Sequence, residues 1–220
     1  ALASTVFTGG ATALTALFLG FAVVAIRRLA PSGPVRGLGR LAMSGYAIPG
    51  TILAVGLLIL LGRIDNAVDA YARAAFGLST GLLLSGSAAA VIIACTIRFL
   101  PLAESAMQSG VEKLPRHVDE AARLFGRGSL TIAATILGPL LRPALLTGGA
   151  LVFVDTVKEL SATILLRPFG FSTLATTVYE AASRGAPEDG ALAALAIVLV
   201  ALVPAAMTSR ALMRDEAASV

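Results

Sequence analysis

Long apolar segments separated by short charged stretches run through the whole chain. Five of them reach, or nearly reach, the length needed to cross a hydrocarbon core of about 30 Å at about 1.5 Å per helical residue. They are Ser4–Ile26, Leu41–Gly62, Phe76–Leu100, a fourth from about Leu140 to Leu166, and Ala191–Met207. A segment from Leu130 leads into the fourth, and Pro139 and Pro143 divide the two. The pattern predicts an all-α membrane protein with about five transmembrane helices.

Two interruptions change this picture locally. Pro49-Gly50 lies in the first half of the second segment, where neighbouring helices in a membrane bundle can satisfy the carbonyls that proline frees. It predicts either a simple kink or a bend that lines a pathway. The charged stretch Arg63–Arg73 predicts a short outside loop, with or without an interfacial helix, and Ser172–Gly190 predicts an outside surface helix followed by a turn.

The composition supports lipid as the solvent of most of the chain. Hydrophobic residues make up 57% of the 220 positions and charged residues 14%, against about 25% charged in soluble domains. The net charge of +4 comes from basic residues that flank the apolar segments, which indicates membrane topology rather than nucleic-acid binding. Twelve of them fall on one side of the five-span arrangement, including the loop Arg27–Arg40, and four on the other. The N-terminus is therefore predicted outside and the C-terminus inside.

Residue types that carry catalysis or hold metals are scarce. Cys95 is the one cysteine and His117 the one histidine, so neither an internal disulfide nor a zinc site built by this chain is expected. The sequence has no Gly-Lys-Ser/Thr phosphate loop, so we expect no ATP hydrolysis by this chain. We predict no catalytic residues, no metal site and no bound cofactor.

A polar island at Pro101–Ser129 interrupts the apolar pattern. Within it, the stretch from His117 to Gly126 predicts a short amphipathic helix. Ala121 and Ala122 would allow a partner surface to approach closely, and Gly126 would allow a sharp exit. From the residues alone, this is either a helix lying at the lipid headgroups or a docking helix.

The fourth apolar segment contains Asp155, Lys158 and Glu159. Spacings of three and four residues predict that they share one helix face, where Lys158 can neutralise one of the acids. Charges inside a membrane are costly and usually face the bundle interior or water. They would line a translocation path or gate, or form an ion-pair network that fixes helix packing. The acids suit a ferric ion's preference for oxygen ligands, but the lysine beside them argues against a binding site.

Two motifs resemble a known family. Glu120-Ala121-Ala122, Gly126 four residues later, and then Ile136 and Pro139 resemble the cytoplasmic loop of ABC-transporter permeases, although Gly138 stands where that family usually has leucine. The run from Lys158 to Ala175, with Leu-Leu-Arg-Pro inside it, resembles the permeases of ferric-iron importers and, similarly, of thiamine importers. The resemblance extends over about Leu41 to Arg210.

The resemblance implies a type I ABC importer transmembrane domain over residues 1–220, with a coupling loop at about 101–139, in the bacterial inner membrane. The coupling helix would dock on an ATPase through Glu120, Ala121, Ala122 and Gly126, and the path or gate would use Pro49, Asp155, Lys158 and Glu159. The implied partners are two ATPase subunits that bind the ATP, a second permease half or subunit, and an extracytoplasmic binding protein. Because the chain begins at Ala1 without methionine, we expect the second half of a fused permease, although self-pairing stays open.

Other functions compete with this expectation. A thiamine or other small-solute importer would share the fold. An ion-driven secondary transporter would use Asp155 and Glu159 as proton or cation sites, and its uptake would survive ATP depletion. A membrane scaffold without transport would leave the motif spacing unexplained.

Overall fold

A computed structural model describes residues 1–29, 43–115 and 117–218, with side chains described through residue 209. Within these ranges the regular structure is entirely helical. The helices are α1 Leu2–Leu29, α2 Gly50–Phe76, α3 Ala88–Glu112, α4 His117–Leu124, α5 Ser129–Leu140, α6 Arg142–Val157, α7 Thr163–Leu166, α8 Leu174–Ser183 and α9 Ala191–Ala218. Short 3₁₀ turns cover Ser44–Ala47 and Pro187–Gly190, and Ala133–Leu137 within α5 is a π-helical turn.

Among the described residues, four helical stretches are long and apolar enough to cross a membrane: α1, α2, α3 and Pro187–Ser209, which includes much of α9. α5 and α6 pass the same test together and are bent by 77° at the break between them. The predicted division by Pro139 and Pro143 is confirmed, and Pro143 stands at the start of α6, where its missing N–H has no helical partner to lose. Five spans result if the bent pair counts as one.

The core of the bundle is formed by α1, α3 and α6. Small residues bring these helices together. A methyl group added to Gly148 of α6 would lie 3.3 Å from the Cα atom of Ala103, and one added to Gly20 of α1 would lie 2.7 Å from Cε of Met107. Ala16 is fully buried between them. Without a hydrophobic drive between helices in lipid, such close backbone approach is a main source of packing energy.

The second span differs from its prediction at both ends. Its predicted start at Leu41 and most of the loop Arg27–Arg40 lie outside the described residues. Pro49 precedes α2 and does not kink it, because proline loses no hydrogen bond at a helix start. The stretch Arg63–Arg73 is helical rather than a loop: α2 continues through it to Phe76, and Arg73 donates a hydrogen bond to Asp69 one turn earlier at 2.6 Å.

The third span begins later than predicted because residues 77–87 form a loop that folds back on α2. Asp65 accepts hydrogen bonds from the backbone N–H of Ser85 at 2.8 Å and from its hydroxyl at 2.7 Å. Asp69 accepts one from the backbone N–H of Thr80 at 2.7 Å. Ser87 then caps α3 by accepting from the N–H of Ala89 at 3.2 Å. The hydrogen bonds to Asp65 and Asp69 hold these residues as a loop, although the apolar pattern predicts that they are helical.

At its other end α3 runs through Pro101 to Glu112, so the first part of the predicted polar island is transmembrane helix. Proline has no N–H to offer the carbonyl of Ile97. The turn Ser44–Ala47 lies against that carbonyl, since a methyl group added to Gly45 would be 2.1 Å from its oxygen. Polar Glu104 is accommodated inside α3 because Arg27 of α1 pairs with it.

The last part of the chain follows its prediction more closely. The surface helix expected in Ser172–Gly190 is α8, which Thr173 and Thr176 begin with a reciprocal capping box. The N–H of Leu174 donates to the hydroxyl of Thr5 at 2.8 Å, which fixes α8 to the start of α1. α9 begins at Ala191, as predicted, and continues beyond Met207 to Ala218.

Candidate functional site

The helix α4 confirms the short amphipathic helix predicted in the polar island. Its outward face carries His117, Glu120, Ala121 and Leu124, which are exposed and spaced three or four residues apart. Its inward face carries Asp119 and Ala122, and Ala122 is only 6% exposed and belongs to the core. The expectation that both alanines face a partner is therefore wrong for Ala122, because this chain's own core covers its side chain.

Gly126 ends this helix with a left-handed backbone, at φ +73°. Its N–H donates to the carbonyl of Arg123 at 2.9 Å, and the N–H of Arg127 donates to the carbonyl of Ala122 at 3.2 Å. These two bonds make a Schellman motif, in which a residue other than glycine is strained. The sharp exit predicted for Gly126 is thus present. Open space surrounds its Cα, since an added methyl group would have no neighbour within 4 Å.

An exposed apolar tip lies beside this exit. The tip consists of Leu124, Phe125 and Leu130, which are 88%, 85% and 86% exposed. Large apolar side chains this exposed are unfavourable in water and typical of a surface that a partner covers. In the sequence, Leu124 and Phe125 stand among the charged residues of the polar island, and Leu130 follows directly after it.

The charged cluster of the fourth span is divided in two. α6 ends at Val157, so Lys158 and Glu159 follow the helix and the prediction of one shared helix face is wrong. The prediction that Lys158 neutralises an acid is confirmed for Asp155, with 2.7 Å between Nζ and Oδ1. The Lys158 side chain is 62% exposed, whereas that of Glu159 is 7% exposed. A buried carboxylate needs a different partner.

That partner is Arg98 in the middle of α3. Its Nη1 donates to Oε2 of Glu159 at 2.6 Å, and the other carboxylate oxygen accepts from the backbone N–H of Ala162 at 2.9 Å. The Arg98 side chain is 23% exposed, and its guanidinium carbon lies 5.6 Å from the centroid of the Phe99 ring. The pair of Arg98 with Glu159 was not predicted from the sequence. An acid and a base within apolar segments were the available signal.

The start of α2 rests against this ion pair. A methyl group added to Gly50 would lie 2.4 Å from Nη1 of Arg98, 3.2 Å from Oε1 of Glu159 and 3.0 Å from Cβ of Ser161. Pro49 directly precedes this contact and is itself exposed. The N-terminus of a helix favours a negative charge, so both α2 and Arg98 stabilise the buried carboxylate of Glu159. The polar junction is the name used below for Pro49, Gly50, Arg98 and Glu159.

We expect Gly50→Ala to destabilise the protein by about 1–3 kcal/mol, because the new methyl group overpacks the polar junction. Thermal unfolding of the purified chain in detergent measures the effect. Gly56→Ala is the matched control on the same helix, where an added methyl group meets nothing within 4 Å. Equal unfolding temperatures for the two variants would contradict the close packing at Gly50.

No group of three or more His, Cys, Asp and Glu side chains that could hold a metal ion occurs in the part of the chain that the structure describes. Cys95 is buried inside α3.

Residues 34–214 match the family of binding-protein-dependent transport system inner membrane components. The chain belongs to this family. It is a multi-pass inner-membrane permease of the ABC importer class.

Individual relatives are moderately similar to this permease. The Fe(3+)-transport system permease protein FbpB 2 of Haemophilus influenzae is 28% identical over 159 residues, which are 72% of this chain and 28% of that protein. The molybdenum transport system permease protein ModB of Mycobacterium tuberculosis is 25% identical over 200 residues, 91% of this chain and 74% of that protein. The permease thus spans less than a third of the length of its ferric relative.

The fold of the permease is also that of a solved importer. The MetNI methionine ABC transporter, in inward-facing conformations, matches with a TM-score of 0.70 at 15% identity, over 96% of this chain and 92% of that chain. This likeness supports the predicted type I importer fold and carries no information on substrate.

Proposed function

We propose that this permease forms the translocation pathway of an ABC importer for ferric iron. The observation that carries the proposal is the similarity to the ferric transport permease over 72% of the chain. The Leu-Leu-Arg-Pro run at Leu165–Pro168, which resembles the ferric subfamily, supports it. Molybdate is the second candidate, because the molybdenum permease matches a larger share of the chain, 91%.

We infer that the permease works with the partners that the family resemblance implies. Two ATPase subunits would bind ATP and receive the exposed face of α4, with Glu120 and Ala121, and the apolar tip beside Gly126. A second permease half or subunit would complete the pathway, and an extracytoplasmic protein would deliver the substrate. Residues 1–220 would act as one transmembrane domain whose coupling region lies between α3 and α6.

The proposed transport mechanism requires that the helix that docks on the ATPase be rigidly connected to the helices that form the pathway. Closure of two ATPases around ATP would move the paired coupling helices, and the bundle would switch between outward and inward access as a rigid body. α4 suits this role because its inward face, with Asp119 and Ala122, is packed into the protein. A helix lying loosely at the lipid surface would have no such inward contact.

We further propose that the polar junction acts as a gate of the pathway. Arg98 and Glu159 join α3 to the turn between α6 and α7, and Gly50 brings the start of α2 against both. α3 and the turn after α6 can separate only if the ion pair breaks, and the start of α2 packs against both. Asp155 and Lys158 form a separate, more exposed pair next to this turn, and they would line the path. Asp155 is paired with Lys158 and Glu159 with Arg98, so neither carboxylate is free to bind a cation. A ferric ion would therefore pass these residues without being coordinated by them.

Uptake of radiolabelled ferric iron by cells that express the complete transporter tests the substrate. We expect ATP-dependent iron uptake, with Gly126→Asp as the inactive control and with molybdate and thiamine as alternative substrates. Molybdate or thiamine uptake without iron uptake would keep the permease and replace its substrate. Iron uptake that survives ATP depletion and collapses with an uncoupler would instead indicate an ion-driven transporter.

A further inference from the structure

Arg28, near the end of α1, joins three elements through one side chain. Its Nε donates to Oδ2 of Asp119, in the first turn of α4. Its Nη1 donates to the carbonyl of Val111 at 2.8 Å, at the end of α3. Its Nη2 donates to the carbonyls of Pro115 at 3.0 Å and Leu114 at 3.3 Å, in the linker between α3 and α4.

This arrangement uses the special chemistry of arginine. The planar guanidinium presents five N–H donors in a fixed fork, so one side chain can hold several acceptors at once. The carbonyls at a helix C-terminus have no partner within the helix and favour a positive charge. The Arg28 side chain is 9% exposed, which removes it from the competition of water.

A second arginine closes the connection from the opposite side. Nη2 of Arg123, on α4, donates to the carbonyl of Leu29 at 2.6 Å, at the last residue of α1. α1 and α4, the proposed coupling helix, are therefore joined in both directions. Arg28 of α1 donates hydrogen bonds to α4 and its preceding linker, and Arg123 of α4 donates one to α1. The neighbouring Arg27 pairs with Glu104 of α3 instead, so it ties α1 to α3 without touching α4.

We propose that Arg28 is the positioning residue that makes α1 follow the coupling helix. Displacement of α4 by an ATPase is then passed to α1 and on to the core helices α3 and α6. Without Arg28, only Arg123 would hold α4 to the end of α1, and part of the displacement would be lost between the two helices. The proposal rests on the proposed function, because it assigns the route by which docking drives the pathway.

The test uses the complete transporter, reconstituted in liposomes with its ATPase subunits and binding protein. Uptake and ATP hydrolysis are measured together for wild type, Arg28→Ala, Arg28→Lys and the control Arg63→Ala, an exposed arginine on α2. We expect Arg28→Ala to keep its ATPase subunits and hydrolyse ATP, while substrate transported per ATP falls at least fivefold. Arg28→Lys should be intermediate, because lysine keeps the charge but cannot hold the same acceptors. Arg63→Ala should match wild type.

A distance measurement tests the connection independently of transport. Spin labels at Ile26 on α1 and at Arg127 after α4 should keep one narrow separation with and without ATP in the wild type, since the two segments move together. In Arg28→Ala, or in Arg28→Lys if the alanine variant does not assemble, the distribution should broaden or change with nucleotide. An unchanged distribution, together with an unchanged transport ratio, would overturn the role of Arg28.

The two proposals fail in different ways. If the wild type shows no ATP-driven uptake of any candidate substrate, the proposed function fails, and the label distances still decide whether Arg28 holds α1 to α4. If the wild type transports and Arg28→Ala shows the wild-type ratio of transport to hydrolysis, the proposed function stands and the positioning role is wrong.

Discussion

Gly126→Asp is expected to abolish transport while the chain still inserts and folds. Strain alone cannot produce this loss, because a left-handed residue other than glycine costs about 1–2 kcal/mol and the new side chain meets open space. The carboxylate, however, would stand beside the apolar tip, where the proposed docking of an ATPase subunit would remove water. An unpaired buried charge costs several kcal/mol, and each 1.4 kcal/mol is a factor of ten in binding. We therefore expect ATPase binding to fall by about a hundredfold or more, as measured by co-purification and uptake.

The variant Gly126→Asn distinguishes the effect of the added charge from the effect of a side chain on the left-handed backbone. Asparagine has the size of aspartate, tolerates the left-handed conformation and carries no charge. We expect it to keep a third or more of wild-type uptake. Equal loss in both variants would assign the effect to the exit geometry of α4. Normal uptake in Gly126→Asp would show that the ATPase does not cover this region, and the coupling assignment would be wrong.

The positions of the spans follow from the sequence where local patterns decide them. The apolar runs predict α1 and α9, and Pro139 and Pro143 predict the break between α5 and α6, because chain-local length and proline chemistry set these features. The predictions fail where distant residues intervene. The carboxylates of Asp65 and Asp69 hold residues 77–87 as a loop through contacts up to 20 residues away in sequence, as between Asp65 and Ser85. No local pattern contains that information.

The same distinction holds for the functional residues. The Glu-Ala-Ala spacing locates α4 and Gly126 because the motif is contiguous in sequence. Which of its residues are exposed, as Glu120 and Ala121 are, and which are buried, as Ala122 is, becomes clear only once the inward face of the helix is known. The partner of Glu159 could not be found in this way, since Arg98 lies 61 residues away. Only the general rule that a charge in the membrane requires a partner pointed towards it. The rule states the need and does not name the residue.

The largest effect on the pathway is expected from the ion pair between Arg98 and Glu159. Glu159→Gln keeps an oxygen for the N–H of Ala162 but leaves the Arg98 cation unpaired. Breaking a buried pair costs about 3–5 kcal/mol, and because the Arg98 side chain is 23% exposed we expect the lower end of that range. Arg98→Met should also destabilise, since it removes the charged partner of the Glu159 carboxylate and leaves it the N–H of Ala162 and the start of α2. Thermal unfolding in detergent measures both variants.

The double variant Arg98→Met/Glu159→Gln distinguishes a gate from a structural support. It removes both charges and keeps the hydrogen bond to Ala162, so neither charge is left unpaired. Replacing a buried ion pair by neutral side chains is often close to neutral in stability, and the double variant should therefore unfold at a higher temperature than either single one. If the pair is a gate, this stable variant will still bind its ATPase subunits and hydrolyse ATP. Its substrate uptake per ATP will nevertheless change severalfold, because no ion pair then holds α3 to the turn after α6 in the closed arrangement. If the double variant regains stability and takes up substrate as the wild type does, the polar junction serves only helix packing. The gate must then lie elsewhere in the bundle.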